Sequence, residues 1–189
     1  MFLIPKWIHF VDKPQTLALL RSVAEREDVQ LLIKAHPRRG QAELDTETIQ
    51  TLVRRPNVVL AGDAESHALI DAADLGIVII SSLVVELFLQ QKPIVYPKYL
   101  HPHRMVFEDH PGCLTARSLD EVHRWLDRFR QGNVPAIDHA AVAAVEREFV
   151  YAGKEPYDVP EYYYARVRAY LAAAAGVAPT ARGAGAHRG

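Results

Sequence analysis

Cysteine is nearly absent from this chain, since Cys113 is the single one among 189 residues. A disulfide framework and a multi-cysteine metal site within the chain are therefore excluded, and a reducing compartment is expected. An excess of charge of one sign is lacking as well, because 22 lysines and arginines nearly balance 23 aspartates and glutamates. The charges form no long block, so the sequence gives no indication of nucleic-acid binding or of a basic membrane-binding face.

Long hydrophobic runs are missing too. The run LGIVII at 75–80 is far shorter than the roughly 20 apolar residues that span a bilayer. The opening MFLIPKW lacks the charged leader and the apolar core of a signal peptide. We therefore expect a cytoplasmic protein without a transmembrane segment, and a position at the inner face of the membrane stays open.

What the sequence does contain is a series of short, β-branched apolar runs with amphipathic stretches between them. This alternation is typical of parallel strands that are covered by helices on both faces. We predict strands at 2–10, interrupted at Pro5, and at 29–33, 57–60, 75–80, 93–96 and 113–115. We predict helices at 15–26, 45–53, 65–72, 82–91, 119–130, 140–150 and 160–175. The predicted fold class is α/β, a doubly wound, Rossmann-like parallel sheet with C-terminal helices.

The predicted helix at 160–175 begins with three consecutive tyrosines at 162–164. Three neighbouring residues cannot share one helix face, so at least one of these rings is expected to be exposed or to pack on something outside this chain. One domain is predicted over residues 1–176. The remaining residues, 177–189, are small, glycine-rich and basic, and with nothing to bury they are expected to form a disordered tail.

The candidate site lies where the predicted strands end. In an open parallel sheet, ligands bind outside the carboxyl ends of the strands, where helix N-termini point their free N–H groups. Lys34, His36 and Arg38 follow one predicted strand directly, in the stretch LLIKAHPRRG. Pro37 disfavours helical geometry at His36, so the loop should leave the strand extended. A charged histidine there could contact an anionic ligand, although solvated or backbone-bonded side chains are the ordinary alternative.

Ser81 and Ser82 follow another predicted strand and open a predicted helix. Their hydroxyls and backbone N–H groups could hold a phosphate at the positive end of that helix. Glu86 lies one turn further on the same face, where a carboxylate could accept hydrogen bonds from ribose hydroxyls. Serine is also a common N-cap, and an acid in a first turn is often simply solvated, so both readings stay open.

A third loop, YPKYLHPHR at 96–104, follows a further strand on the same rim. His103 in this loop could face a ligand bound at that rim, and an ordinary polar connection is the alternative. His101 and His103 are two residues apart, but no nearby set of acids or cysteines completes a metal site, so no metal is predicted.

The segments KAHPR, ADLGIVIISSLVVE and QKPIVYP, in this order, resemble the C-terminal, nucleotide-binding half of a GT-B glycosyltransferase. The resemblance covers about residues 1 to 130. An HP motif followed by an SS motif is similar to enzymes with cytidine-nucleotide donors: bacterial sialyltransferases, capsule Kdo transferases and CDP-glycerol glycerophosphotransferases of teichoic-acid and capsule synthesis. It implies a catalytic His36 and donor-phosphate contacts from Ser81 and Ser82. No permanently bound cofactor is implied, only a CMP-, CDP- or UDP-linked donor.

The same resemblance implies that an acceptor-binding half, which usually supplies the catalytic base, precedes this half in a whole enzyme. We therefore expect that half to be a separate partner or to be missing from this chain. The resemblance also implies that the tyrosine-rich segment at 157–171 corresponds to the C-terminal helix that crosses back to the other domain in GT-B enzymes. The alternatives are a non-catalytic nucleotide-binding or regulatory module, a UDP-sugar epimerase-like half-domain, and an α/β scaffold that binds nothing.

Overall fold

In the residues that this computed structural model describes, 1–35, 44–62, 64–151 and 159–174, six parallel strands form one sheet. The strands are β1 (Phe2–Leu3), β2 (Leu31–Lys34), β3 (Val58–Leu60), β4 (Gly76–Val78), β5 (Ile94–Pro97) and β6 (Cys113–Ala116). Their order across the sheet is β3-β2-β1-β4-β5-β6. This is the strand order of a doubly wound, Rossmann-like α/β fold, so the predicted fold class is confirmed.

Helices cover both faces of the sheet. They are α1 (Lys13–Ala24), α2 (Thr46–Val53), α3 (Ser66–Ala72), α4 (Leu83–Leu89), α5 (Leu119–Arg130), α6 (His139–Val145) and α7 (Val159–Ala174). The chain moves outward from β1 to β3 and then crosses to β4 and β5. Because such crossovers are right-handed, α1 and α2 lie on one face, and α3 and α4 lie on the other. Helix α5 bonds to α1 through His123 and Ser22, and α6 packs on α4.

One predicted strand is wrong over most of its length. The expected strand at 2–10 ends at Leu3, and Trp7–His9 form a 3-10 helix instead. Pro5 explains the early end, because proline has no N–H to donate to a neighbouring strand. The other predicted strands and helices are present with ends displaced by two residues or fewer, once the π-helical turn Glu146–Val150 is counted with α6.

Local chemistry explains where several helices begin. Four helices, α1, α2, α5 and α6, start after a side chain that accepts a hydrogen bond from a backbone N–H three residues on. These N-caps are Asp12, Asp45, Ser118 and Asp138. Such a cap satisfies one of the N–H groups that a helix start leaves unpaired, and typically stabilises the protein by about 1 kcal/mol.

The core lies between the sheet and its helices. Phe2, Ile77 and Val95 at the centre of the sheet are buried, as expected for strands covered on both faces. Gly76 lets α4 approach β4 closely, because a Cβ atom at this position would lie 2.7 Å from the Leu87 Cδ1 atom. The absence of a side chain here therefore fixes the spacing between α4 and the sheet.

The chain divides into two compact units, Met1–Glu146 and Arg147–Gly189. The sheet and helices α1 to α6 belong to the first unit, and α7 belongs to the second. On α7, Tyr163 and Tyr164 are more than half exposed, in agreement with the expectation from the three consecutive tyrosines. The predicted tail at 177–189 lies outside the described residues, and the predicted domain bounds stay a prediction. In the described part of the chain, no helix combines the length and apolar character needed to cross a bilayer.

Candidate functional site at the carboxyl edge of the sheet

The strand order places a crevice between the ends of β1 and β4. These strands are parallel neighbours, and Leu3 and Val78, their last residues, are register partners. The chain leaves β1 toward α1 on one face and leaves β4 toward α4 on the opposite face. In this class of sheet the gap between two such departing loops is where ligands bind. Ser81 and Ser82 lie on the connection from β4 and therefore border this crevice.

Ser81 and Ser82 open α4, as the sequence predicts, but they behave differently. The Ser81 Oγ atom accepts a hydrogen bond of 3.2 Å from the Leu83 backbone N–H, so Ser81 has a structural role at the helix start. Ser82 has helical dihedral angles, makes no capping hydrogen bond with its side chain, and is exposed. Its hydroxyl is therefore the one that remains available to a ligand.

Lys34 is the last residue of β2, and its ammonium group is engaged by the backbone. The side chain is buried, and Nζ donates hydrogen bonds of 2.8 Å to the Gly62 carbonyl and 2.7 Å to the Ala64 carbonyl. These bonds fasten the loop ahead of α3 to the end of β2. Two of the three ammonium protons are used in this way. The predicted contact between Lys34 and a ligand stays a prediction.

Glu86 lies one turn into α4 and faces α3. Its Oε2 atom is 3.4 Å from the His67 Nδ1 atom, close enough for an ion pair when the histidine is protonated. The same oxygen is buried and has no hydrogen-bond partner among the described residues, because the contact with His67 lacks hydrogen-bond geometry. A 3.4 Å contact to a largely exposed histidine is weak. The Oε2 atom is thus closed to solvent, while about a third of the Glu86 side chain is exposed.

His103 lies on the connection between β5 and β6 and is tied down through its backbone. Its carbonyl oxygen accepts hydrogen bonds from His101 Nδ1 at 3.1 Å and from Lys98 Nζ at 3.4 Å. The His103 ring is exposed and meets the Phe10 ring edge-on, with 5.9 Å between the ring centroids. The structure thus brings His103 to the loop that follows β1, on the rim where the sequence predicts it.

Phe10 belongs to this rim, although the sequence reasoning did not include it. Its backbone has φ 59° and ψ 26°, the left-handed conformation that a bulky side chain seldom adopts. Its ring is 76% exposed. An apolar residue in a hydrophobic stretch gives no sequence signal that its backbone is left-handed or that its side chain is exposed. An unusual backbone that holds an aromatic ring outward is typical of functional rims.

A pocket opens between the loops that follow β1 and β5. It has a volume of ≈ 470 Å³, and its walls include Phe10, Asp12, Tyr99, His101 and Pro102. A second cavity of ≈ 420 Å³ is lined largely by apolar residues at the opposite edge, beside the first residues of β2 and β4. Ligands of doubly wound sheets bind at the carboxyl edge, so the first pocket is the better candidate.

Two of the predicted site residues, His36 and Arg38, lie outside the described residues. Across the described ranges there is no group of three or more histidine, cysteine, aspartate or glutamate side chains that could hold a metal ion. The structure therefore groups Ser81, Ser82 and Glu86 at the start of α4, and it groups His103 with Phe10 on the loops after β5 and β1. The chain matches no protein-family model, and no curated protein or solved structure matches it.

Proposed function

We propose that this chain is the donor-nucleotide-binding domain of a glycosyl- or glycerophosphotransferase that builds a cell-surface polysaccharide or teichoic-acid-like polymer in the cytoplasm. The donor is CMP-, CDP- or UDP-linked. One observation carries the proposal: Ser82, with an exposed and uncapped hydroxyl, follows β4 at the crevice where the strand order reverses. Nucleotides bind at this point of doubly wound sheets.

Each residue has a role that matches its chemistry. The Ser82 hydroxyl donates to an oxygen of the donor phosphate, and a protonated His36 stabilises the charge that develops there as the nucleotide leaves. The partly exposed Glu86 carboxylate accepts from a ribose hydroxyl. The group that removes the proton from the acceptor comes from the separate, acceptor-binding partner. This chain thus contributes the stabilisation of the leaving group.

The second candidate is a nucleotide-binding module without catalysis. The engagement of the Lys34 ammonium by two backbone carbonyls favours it, because one of the predicted cationic contacts is then largely occupied by the fold. Both candidates require nucleotide binding. They differ in whether the purified chain, supplied with its acceptor-binding partner, releases the nucleotide from a labelled donor.

Nucleotide binding is tested by the melting temperature of the protein with CMP, CDP, UDP and ADP at equal concentration. A ligand that binds only the folded state raises the melting temperature. We expect a rise with a cytidine or uridine nucleotide that His36→Ala and Ser82→Asp both abolish, the latter by placing a negative charge against the phosphate.

Ser118→Ala is the matched control, because Ser118 also follows a strand and precedes a helix, yet it lies at the far edge of the sheet. It should lower the melting temperature of the free protein through loss of the α5 cap, while the rise with nucleotide persists. An unchanged melting temperature with all four nucleotides, or an equal rise in Ser82→Asp, would contradict the proposal.

A further inference from the structure

The pocket between the loops after β1 and β5 is lined by a buried histidine, and a backbone carbonyl determines which of its ring nitrogens donates. His101 is only 6% exposed, and its Nδ1 atom lies 3.1 Å from the His103 carbonyl oxygen. A carbonyl oxygen can only accept, so Nδ1 must carry the proton. In the neutral ring Nε2 is then an acceptor, and it has no hydrogen-bond partner among the described residues.

The other polar groups of this pocket also suit hydroxyl ligands. The Asp12 carboxylate accepts from the Gln15 backbone N–H at 2.9 Å and from the Gln15 side-chain amide at 2.7 Å. A carboxylate has about four acceptor positions, so two remain. The Tyr99 hydroxyl is buried without a partner in the part of the chain that the structure describes. This hydroxyl is closed to solvent, so the contacts to a ligand rest on Asp12 and His101.

Charge argues against phosphate as the occupant. Among the described residues that line this pocket, Asp12 has a full charge and there is no lysine or arginine. The nearby Lys98 ammonium is paired with Glu108 at 2.6 Å. A negative carboxylate and an acceptor nitrogen repel an anion, but they hydrogen-bond to neutral alcohols. The exposed Phe10 ring and Pro102 supply apolar walls against which the C–H groups of such a molecule can pack.

We propose that this pocket binds a neutral polyol or sugar ring, with the His101 Nε2 atom and the Asp12 carboxylate accepting hydrogen bonds from its hydroxyl groups. The volume of ≈ 470 Å³ lies in the range of small-molecule sites, about 300 to 1,000 Å³. We identify the ligand as the polyol or sugar part of the substrates, and this identity rests on the proposed function. The inference also changes the residue assignment, since the buried His101 binds the hydroxyls and the exposed His103 supports it through its carbonyl.

The proposal is tested by NMR of protein labelled with ¹³C in its histidine rings, titrated with glycerol, ribitol and glucose, and separately with inorganic phosphate. We expect a saturable shift of the His101 ring signal with at least one of the neutral ligands and none with phosphate. The signal is assigned by its loss in His101→Asn. This variant keeps an N–H donor for the His103 carbonyl and removes the acceptor at Nε2.

His101→Asn should retain the wild-type melting temperature and weaken polyol binding about tenfold, as measured by saturation-transfer NMR of the ligand. His139→Asn, the same change at an exposed histidine of α6, should leave polyol binding unchanged. Equal binding in wild type and a folded His101→Asn, or a His101 shift with phosphate alone, would overturn the inference.

The polyol titration and the nucleotide melting experiment are independent. Polyol binding at His101 without any effect of nucleotides would refute the proposed function and retain the pocket. A nucleotide effect with no polyol binding would refute the pocket and retain the proposed function.

Discussion

Lys34 and Lys92 fasten opposite ends of the same short helix, α3. Lys34 donates to two carbonyls directly ahead of the helix, those of Gly62 and Ala64. Lys92 donates 2.6 Å hydrogen bonds to three carbonyls at the helix end, those of Ile70, Asp71 and Ala73. A helix of two turns is not stable by itself. A cation at its C-terminus also interacts favourably with the helix dipole. The two lysines therefore fix the position of α3, including His67 beside Glu86.

Removing either of these lysines should destabilise the protein. We expect Lys34→Met and Lys92→Met each to lower the free energy of unfolding by about 2 kcal/mol, because charged hydrogen bonds are lost. Urea denaturation measures the change. Lys6→Met is the control, since Lys6 makes no comparable bonds to the described residues, and it should stay within about 0.5 kcal/mol of wild type. A Lys34→Met variant as stable as Lys6→Met would show that the bonds to the α3 loop contribute nothing.

Stability should fall in mild acid because of His123, which lies between α5 and α1 with Nε2 2.7 Å from the Ser22 Oγ atom. Burial lowers the pKa of His123 from its usual 6.5, the positive charge of Arg26 lowers it further, and nearby carboxylates only partly oppose the shift. The unfolded chain therefore binds this proton more readily than the folded protein does. The stabilising effect is complete above pH 6.5 and is lost as the pH falls through the lowered pKa.

The measurement is the free energy of unfolding as a function of pH, for wild type and for His123→Gln. The difference between the two curves should change below pH 6.5 and be flat above it, which isolates this histidine from the other eight. A constant difference across the acid range would contradict the assignment. His139→Gln, at an exposed position, should reproduce the pH dependence of wild type.

The thiol of Cys113 should be unreactive in the folded protein. Burial raises its pKa to about 12, so the nucleophilic thiolate is scarce at pH 8. We expect a disulfide reagent such as Ellman's to react slowly with the native protein and quickly in urea, where the pKa returns to its ordinary range. Cys113→Ser, which should give no reaction in either condition, is the control. Equal rates in buffer and in urea would contradict the prediction.

At Phe10, glycine should be better tolerated than alanine. The left-handed backbone at this position costs an L-residue about 1 kcal/mol, and glycine avoids that cost. We expect Phe10→Gly to be more stable than Phe10→Ala by about 0.5 to 1 kcal/mol, by urea denaturation. The matched comparison is Ala18→Gly at an exposed position of α1, where glycine should be worse by about 1 kcal/mol. If alanine were more stable than glycine at both position 10 and position 18, the left-handed conformation at Phe10 would be ruled out.

The sequence predicts the fold class well because the signals involved are local. The run at 75–80 is apolar and β-branched, so it predicts β4, and Ser81 and Ser82 come directly after it at the start of α4. The partners of Lys34 could not be predicted in this way. They are backbone carbonyls 28 and 30 residues away, and a carbonyl gives no sequence signal.

The roles of the two histidines at 101 and 103 show the same limit. Both lie in one polar loop, and the sequence led us to expect His103 to face a ligand. The structure buries the His101 ring, exposes the His103 ring, and joins them through a backbone carbonyl. That difference depends on the path of the loop across the end of β5 and on its contact with residues after β1. Neither is encoded within the loop itself.

The early end of β1 has a consequence for how the sheet holds together. This strand stands at the centre of the sheet, yet its ladder pairs only Phe2 and Leu3 with β2 and β4, and the flanking Met1 and Ile4 add one backbone hydrogen bond to each neighbour. Few backbone hydrogen bonds therefore join the half that contains β2 and β3 to the half that contains β4 to β6. The cooperativity of unfolding therefore also depends on contacts outside the strand ladder, such as those between α1 and α5, where Ser22 bonds to His123. A ligand that bridges the crevice would add a further connection between the two halves and so raise the free energy of opening between them.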